Sequence, residues 1–500
     1  MYDPDLKLFV DDLEIHQLAN VERTLNTPGT IPEPVLKPEL PWEENCEFMC
    51  WGSVIKESEN YYRIYYGLDY KPTRDLVFCM AESSDGIHWE RPNLGLYEWR
   101  GVKNNNIILT FDKSTPAGIV NGMDGFTVIK DEEESNPDMR YKMIGTLFDG
   151  RMWGADHPSH NDKVVTEEMK KKAESIFGHY LRTSNDGIHW SDKVELIHKA
   201  NRDYMMVLRD YRNKEWRMMH SSKRYSNMEL GHKPRRDVAL SSSKDWKNWS
   251  DPEMAIFNGP DNAFGRLWEW HGFTPFNYGN IDLGFLEYQG SAYGLQASVE
   301  PVSHRDGGPW QRVFPGEYFL KPGPEGSWHR WGGFPTHNYP IQVGDQLYIY
   351  VNSTNYPDDY LELENEGGTH IKVYPTSRQR IVGVRTIGLD RFVGYSHGHE
   401  KTGEPIGLIV TKPVTITKPE LLINTEPCGG GDITVTLKNA PDMSDIPGYT
   451  LEDSIPSIRN RTRSKVQWKT KNNVQELMGK SVFIVFNIRR SILYSYKFSE

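Results

Sequence analysis

The sequence is poor in cysteine and has no long apolar run. Four of its 500 residues are cysteine: Cys46, Cys50, Cys79 and Cys428. That is too few for a disulfide scaffold. Cys46 and Cys50 are spaced like half of a zinc site, but no second Cys or His pair lies at zinc-site distance. Cys50 and Cys79 fall in apolar, strand-like runs, so buried free thiols in a reducing compartment are expected. No stretch reaches the roughly 18 apolar residues that cross a membrane as a helix. The acidic start, Met1-Tyr2-Asp3-Pro4-Asp5, lacks the apolar centre of a signal peptide. The expectation is a cytoplasmic protein with no membrane partner, the alternative being that a signal peptide has been removed.

Positive charge is also scarce. There are 58 Lys and Arg against 69 Asp and Glu, a formal net charge of −11. The densest basic run, Lys233-Pro234-Arg235-Arg236, is short, and Asp237 follows it. A nucleic-acid partner would need a basic stripe, so none is expected. Helix signals are sparse as well. The best is Thr166 to Ile176, with Thr166 as N-cap, and it reads as an insertion between strands. His-Glu-x-x-His, Gly-x-Ser-x-Gly and phosphate-loop patterns are missing. Gly429-Gly430-Gly431 has no following helix and reads as a turn. His157 and His160, near Asp156 and Asp162, read as a polar loop, with metal binding the lesser alternative. No metal and no cofactor is expected.

Aromatic residues are plentiful, at 12% with 15 Trp and 26 Tyr. They suit pleated surfaces, and they also suit sugar clefts. A repeat organises them. Ser84-Asp85-Gly86-Ile87-His88-Trp89 returns as Asn185-Asp186-Gly187-Ile188-His189-Trp190. Weaker copies are Ser243 to Trp249, Ser303 to Trp310 and Gly388 to Phe392. The logic of the copy is that Ser and Asp bond local backbone, Gly supplies positive φ and Trp packs back over the turn, though Ser243 to Trp249 lacks the Gly and Gly388 to Phe392 lacks Ser and Trp. Each copy follows two strand-like runs, beginning with Tyr61 to Tyr66 and Val77 to Ala81 in the first unit. Five such units, each one antiparallel sheet, predict an all-β five-bladed β-propeller. The blades are expected at about 43–95, 120–195, 200–255, 265–315 and 335–395. The proline-rich residues 1–42 read as a wrapping segment ahead of a propeller over 43–398. From 399 to 500 the blade pattern gives way to short strands, which predicts an antiparallel β-sandwich with no catalytic group of its own.

These features resemble a known family. The carrying residues are Ala81 to Pro92 (AESSDGIHWERP), Leu94-Gly95 and Asn104-Asn105-Asn106-Ile107. The C-terminal part adds Leu421 to Asn424, Gly429 to Gly431, Gly448 to Asp453 and Leu493 to Phe498. Over nearly the whole chain they resemble the five-bladed propeller proteins related to glycoside hydrolase families 32 and 43. The resemblance is closer still to a bacterial group labelled glycosyl hydrolase family 32 N-terminal-like. It implies a carbohydrate-active site at the propeller axis, lined by the innermost strands and using carboxylates. The family 32 motifs Trp-Met-Asn-Asp-Pro-Asn-Gly, Arg-Asp-Pro and Glu-Cys are absent, so no residue is carried over one by one.

Glycoside cleavage needs two carboxyl groups, so acids at the start of each innermost strand are the candidates. Asp124, in Asn121-Gly122-Met123-Asp124-Gly125, is the first choice for blade two, against a simple turn aspartate. Blade three offers Arg202-Asp203, a positioning pair or a surface ion pair. Blade four offers Trp268-Glu269-Trp270-His271, where two indoles would shield Glu269 and suit it to donate a proton. Asp124, Asp203 and Glu269 are therefore the expected catalytic set. Glu47, Trp51, Arg202, His220, Arg224, Trp268, Trp270, His271 and His337 are expected to bind substrate. The expected activity is hydrolysis or transfer of a glycosidic bond in an oligo- or polysaccharide. Phosphorolysis is a variant in which His220, Arg224, Arg235 and Arg236 would hold phosphate. A non-catalytic carbohydrate-binding propeller is the competing reading, and a homo-oligomer is left open.

Overall fold

A computed structural model describes residues 2–49, 52–70, 75–110, 123–147, 171, 175, 177–199, 205–222, 237–256, 268–290, 297–305, 308–354, 361–364, 370–373, 380–397 and 406–500. The chain is a five-bladed β-propeller with a C-terminal antiparallel β-sandwich.

Blades two to four are four-stranded antiparallel sheets in plain sequence order. Their innermost strands are Met123–Lys130, Met205–Asp210 and Trp268–Tyr278. Blades one and five differ. Each has its innermost strand in two pieces, both pairing with the same second strand. In blade one the pieces are Cys46–Met49 and Val54–Ser58; in blade five they are Gly333–Pro335 and Ile341–Val343. The outermost strand of blade five comes from the N-terminal segment: Gly29–Thr30 pairs with Arg380–Gly388. The first and last parts of the propeller are thus joined by backbone hydrogen bonds.

The repeated turns stitch neighbouring blades. Asp85 accepts from the backbone N–H of Ile87 and His88, and its other oxygen lies 2.7 Å from His88 Nδ1. Asp186 does the same with Ile188 and His189, and Asp245 with Lys247 and Asn248. Against the opposing effect of burial, the hydrogen bonds of His189 hold Asp186 down to a pKa of about 2. The backbone and side chain of Asn248 do the same for Asp245. These are three turns of one construction; Asp306, expected in a fourth, lies outside the described residues. The first two dock on a neighbouring blade: Tyr350 of blade five donates to Gly86 O at 2.8 Å, and Arg63 of blade one donates to Asp186 O at 2.6 Å. Of the expected helix Thr166 to Ile176, only Lys171 and Ser175 are described, and both are helical. Cys46 and Cys79 are buried free thiols and Cys428 is a half-buried one; Cys50 lies outside the described residues.

The C-terminal unit is built from one nine-stranded sheet that curls on itself. Its spine is two long strands, Glu420–Asn439 and Ser481–Ser499, paired along nearly their full lengths. Their pairing breaks between Pro427 and Asp432, where Gly429 and Gly430 take positive φ. The expected glycine turn is therefore the bend at which the sheet folds over. The core between its faces includes Phe9, Tyr395, Leu421, Ile433, Trp468, Phe486 and Tyr496. Leu6–Leu8, Ile15–Ala19 and Glu22–Leu25 from the N-terminus complete the sheet. Leu6 and Leu8 also pack with Phe276, Phe285, Leu347 and Phe392, joining the sheet to blades four and five. Buried Asp390 ties the two units together, accepting from Tyr278 at 2.9 Å, from Ser495 at 2.8 Å and from Arg463. No helix among the described residues is long and apolar enough to cross a membrane.

Candidate functional site

The innermost strands of the five blades start at one end of the axis, here the mouth. Below it the axis is filled. Gly52 and His337 interrupt the innermost strands of blades one and five. His337 N–H donates to Gly52 O at 2.9 Å, and Ser53 Oγ donates to His337 O at 2.7 Å. A Cβ on Gly52 would lie 1.8 Å from Tyr65 O, so only glycine fits this approach. His337 Nδ1 lies 3.1 Å from Phe126 O and 3.2 Å from Thr127 Oγ1. A carbonyl can only accept, so Nδ1 carries the proton and Nε2 is the acceptor end. Burial pulls the His337 pKa down to about 3, so the ring is neutral. Thr127 Oγ1 in turn accepts from Val207 N at 3.4 Å. One network thus joins blades one, two, three and five at the axis, with His337, Thr127 and Ser53 all fully buried. His337, expected to touch substrate, is part of this floor.

Three acids stand near the mouth ends of innermost strands, at different levels of their ladders. Glu47, Asp124 and Glu269 are each the second residue of an innermost strand, in blades one, two and four. For Asp124 and Glu269 the backbone position is what the structure describes: Asp124 pairs with Thr146, and Glu269 with Gln289. Asp203, Arg202, Trp51 and Arg224 lie outside the described residues. In sequence, Asp203 precedes by two residues the strand Met205–Asp210.

Glu47 brings a partner that the sequence reading did not name. Its direct cross-strand neighbour is Asp69. Such neighbours share a face and stand about 4.5–5.5 Å apart at Cβ. Both are buried, Glu47 at 7% and Asp69 at 4% exposure. Arg380, at the start of a blade-five strand, brings Nε to 3.9 Å from Glu47 Oε2 and offsets part of this negative charge. The signal for Asp69 was available in the hairpin register linking Cys46–Met49 to Tyr61–Tyr70, which pairing alone reveals.

Blade four adds a second missed acid. The ladder shifts register between Trp270 and Gly272, leaving His271 as a bulged residue. Bulges re-aim side chains beside active sites. His271, 8% exposed, stacks on Phe334 of blade five at 4.5 Å and 5°. Its Nδ1 lies 3.4 Å from Glu287 Oε2, a fully buried carboxylate. Trp270 is fully buried in the core between blades three and four, with Met206, Met219 and Phe273. It packs the wall and does not line the mouth. His220 is likewise buried, with Nε2 3.1 Å from Ser241 Oγ.

No family model matches the chain, and no curated protein sequence does either. Solved structures of similar fold do exist. One is a thermostable family-43 glycoside hydrolase, 13% identical at TM-score 0.44, covering 76% of this chain and 98% of its own. A Bombyx mori GH32 β-fructofuranosidase is 11% identical at TM-score 0.36, covering 95% of this chain and 93% of its own. An N-acetylgalactosamine deacetylase from F. plautii is 13% identical at TM-score 0.42, covering 75% and 97%. Another is a β-1,2-mannobiose phosphorylase from Listeria innocua, 11% identical at TM-score 0.39, covering 75% of this chain and 98% of its own. At these identities the likeness bears on the fold and nothing finer.

Proposed function

We propose that this chain cleaves or transfers a glycosidic bond of an oligo- or polysaccharide at the propeller mouth, using carboxylates as acid and base. The observation that carries the reading is that Glu47, Asp124 and Glu269 each stand near the mouth end of an innermost strand, in three different blades. Acids supplied by different blades at one end of the axis are what two-carboxylate chemistry asks for. Glu269 is assigned as proton donor. One of Asp124 and Asp203 is base or nucleophile, and the other orients the sugar. Glu47 and Asp69, with Arg380, hold hydroxyls on the blade-one side. The burial of His220 among other side chains supports hydrolysis or transfer over phosphorolysis, because a buried ring has no phosphate to hold.

A screen of oligosaccharides and aryl-glycosides with product analysis tests the activity, and Glu269→Gln tests the assignment. Proton transfer contributes about 10²–10⁴-fold, so Glu269→Gln should lose that much on a natural oligosaccharide while keeping its melting temperature. Aryl-glycosides with good leaving groups should be hurt less. Retention of more than about a tenth of activity passes the proton-donor role to Glu47. Failure to cleave any saccharide sinks the reading.

A further inference from the structure

Positive charge gathers where the sandwich meets blade five. Residues 401–500 hold 14 Lys and Arg against 10 Asp and Glu, in a chain whose net charge is −11. Four of those cations, Arg459, Arg461, Arg463 and Lys465, fall within seven residues that contain no acid. Arg461–Lys465 is a strand at the margin of the C-terminal sheet, paired with Glu420–Asn439. Beside it lies an open cavity of about 490 Å³, within the roughly 300–1,000 Å³ of small-molecule sites. Both units line it: Asp345, Gln346 and Arg391 from the propeller side, Asn460, Arg461 and Arg463 from the sandwich. Carboxylates hold two of these guanidinium groups from behind. Arg391 donates to Glu426 Oε2 at 3.2 Å and to Asn460 Oδ1 at 2.5 Å. Arg463 donates to buried Asp390. Neither Glu426 nor Asp390 lines the cavity. Arg461 differs: its side chain is exposed and makes no hydrogen bond or ion pair among the described residues.

We propose that this seam binds an anionic saccharide, a chain whose sugars carry carboxylate or sulfate groups. Guanidinium groups offer paired N–H donors to the oxygens of such groups. Arg461 is the unpaired one. Arg391 and Arg463 are held in place by the acids behind them, so little ordering is left for binding to impose. Asp345, Gln346 and Asn460 supply the acceptors and donors that sugar hydroxyls need. A nucleic acid fits less well. No aromatic side chain lines the recess to stack a base, and the Asp345 carboxylate repels a phosphodiester but accepts from a hydroxyl. Cations on an edge strand also block pairing with other sheets, but that role needs neither a recess nor carboxylates behind the cations. The recess lies at the turn end of blade five, where the pairing of Ile341–Val343 with Gln346–Thr354 closes at Gly344-Asp345. A polymer held there leaves the mouth open. That the anionic groups ride on sugars rests on the function proposed above.

The test is affinity electrophoresis of the full chain at low ionic strength, in gels carrying polygalacturonate, dextran sulfate, uncharged dextran or no polymer, with a single-stranded DNA shift assay beside it. Retardation by polygalacturonate, dextran sulfate or both is expected, and the pattern says whether carboxylate or sulfate is read. Dextran should not retard the chain. A net charge of −11 gives no general attraction for polyanions, so retardation reports a local site. Arg461→Ala should weaken it about 10-fold or more. Lys193→Ala, which removes an exposed cation from blade two, should leave it unchanged. No retardation by either polyanion, equal retardation by dextran, full binding in Arg461→Ala, or binding of DNA alone overturns the proposal. Turnover of small oligosaccharides is read separately and should be the same in Arg461→Ala, so failure of the mouth and failure of the seam give different results.

Discussion

Replacing Gly187 by alanine probes how the blades are joined. Gly187 sits in the repeated turn of blade two at φ +76. A Cβ there would lie 2.4 Å from Tyr65 Oη and 3.1 Å from Tyr141 Cδ1. Neither ring can move aside easily. Tyr65 is fully buried in blade one, and Tyr141 donates to Glu57 Oε1 at 2.8 Å. The left-handed backbone costs an alanine about 1–2 kcal/mol, and overpacking adds about 1–3 kcal/mol. Gly101 is the matched control, at φ +79 with nothing within 4 Å of an added Cβ. Gly101→Ala should therefore lose only the backbone part. The difference, about 1–3 kcal/mol, measures how tightly the turn packs on Tyr65 of blade one and on Tyr141 of its own blade. Denaturant midpoints at unchanged slope report it. Equal losses in the two variants would mean that the turns are not docked, and the account of ring assembly would fail.

Two further outcomes follow from buried charge. Arg463→Ala leaves the Asp390 carboxylate buried between propeller and sandwich, which costs about 3–5 kcal/mol for a fully buried pair. The low end is expected, because Arg463 is partly exposed and Tyr278 and Ser495 still donate; a loss under about 1 kcal/mol in thermal denaturation would show that this contact does not join the units. His337 has a folded pKa of about 3, set by burial, against about 6.5 unfolded. In between, the unfolded chain binds a proton that the fold refuses, so stability is full above pH 6.5 and falls as pH drops toward 3. His337→Gln should remove one proton from that slope, measured by denaturation at several pH values; an unchanged slope would refute it.

The fold was legible because its signals are local and repeated. Asp85-Gly86, Asp186-Gly187 and the strand runs before them are short-range patterns, and each unit restates the same physics. The family resemblance rests on architecture too. Asn106 accepts from Trp42 Nε1 at 3.0 Å and donates to Tyr66 Oη at 2.7 Å and Met80 O at 2.8 Å. Arg91 donates to buried Glu43 at 3.0 Å. Such residues clamp blade one and carry no information about a sugar. The broken innermost strands of blades one and five were not legible, because both pieces still read as strand. Nor was Asp69, whose link to Glu47 depends on pairing register. Trp270 looked like a shielding indole, since the sequence gives its neighbours along the chain but not the face it occupies. The N-terminal segment could be read as wrapping. That its strands complete blade five and the C-terminal sheet depends on contacts hundreds of residues apart.

The two ends of the propeller use carboxylates in opposite ways, and this separates architecture from candidate chemistry. At the turn end, Asp186 and Asp245 accept backbone N–H groups, and that satisfaction holds their pKa values near 2. Such an acid stays ionised and fixed, which is useful for closing a hairpin and useless for moving a proton. The same solution works in blades one, two and three, so the sequence repeats it. At the mouth, Glu47 faces Asp69 across one ladder, and Glu287 faces the bulged His271 across another. These acids answer to side chains from other strands and blades, not to their own turns. A group tuned by distant neighbours can differ from blade to blade, and here it does: Glu in blade one, Asp in blade two, Glu in blade four. The loss of the repeat at this end is therefore expected of a site built by all the blades jointly, with His337 and Thr127 as its shared floor.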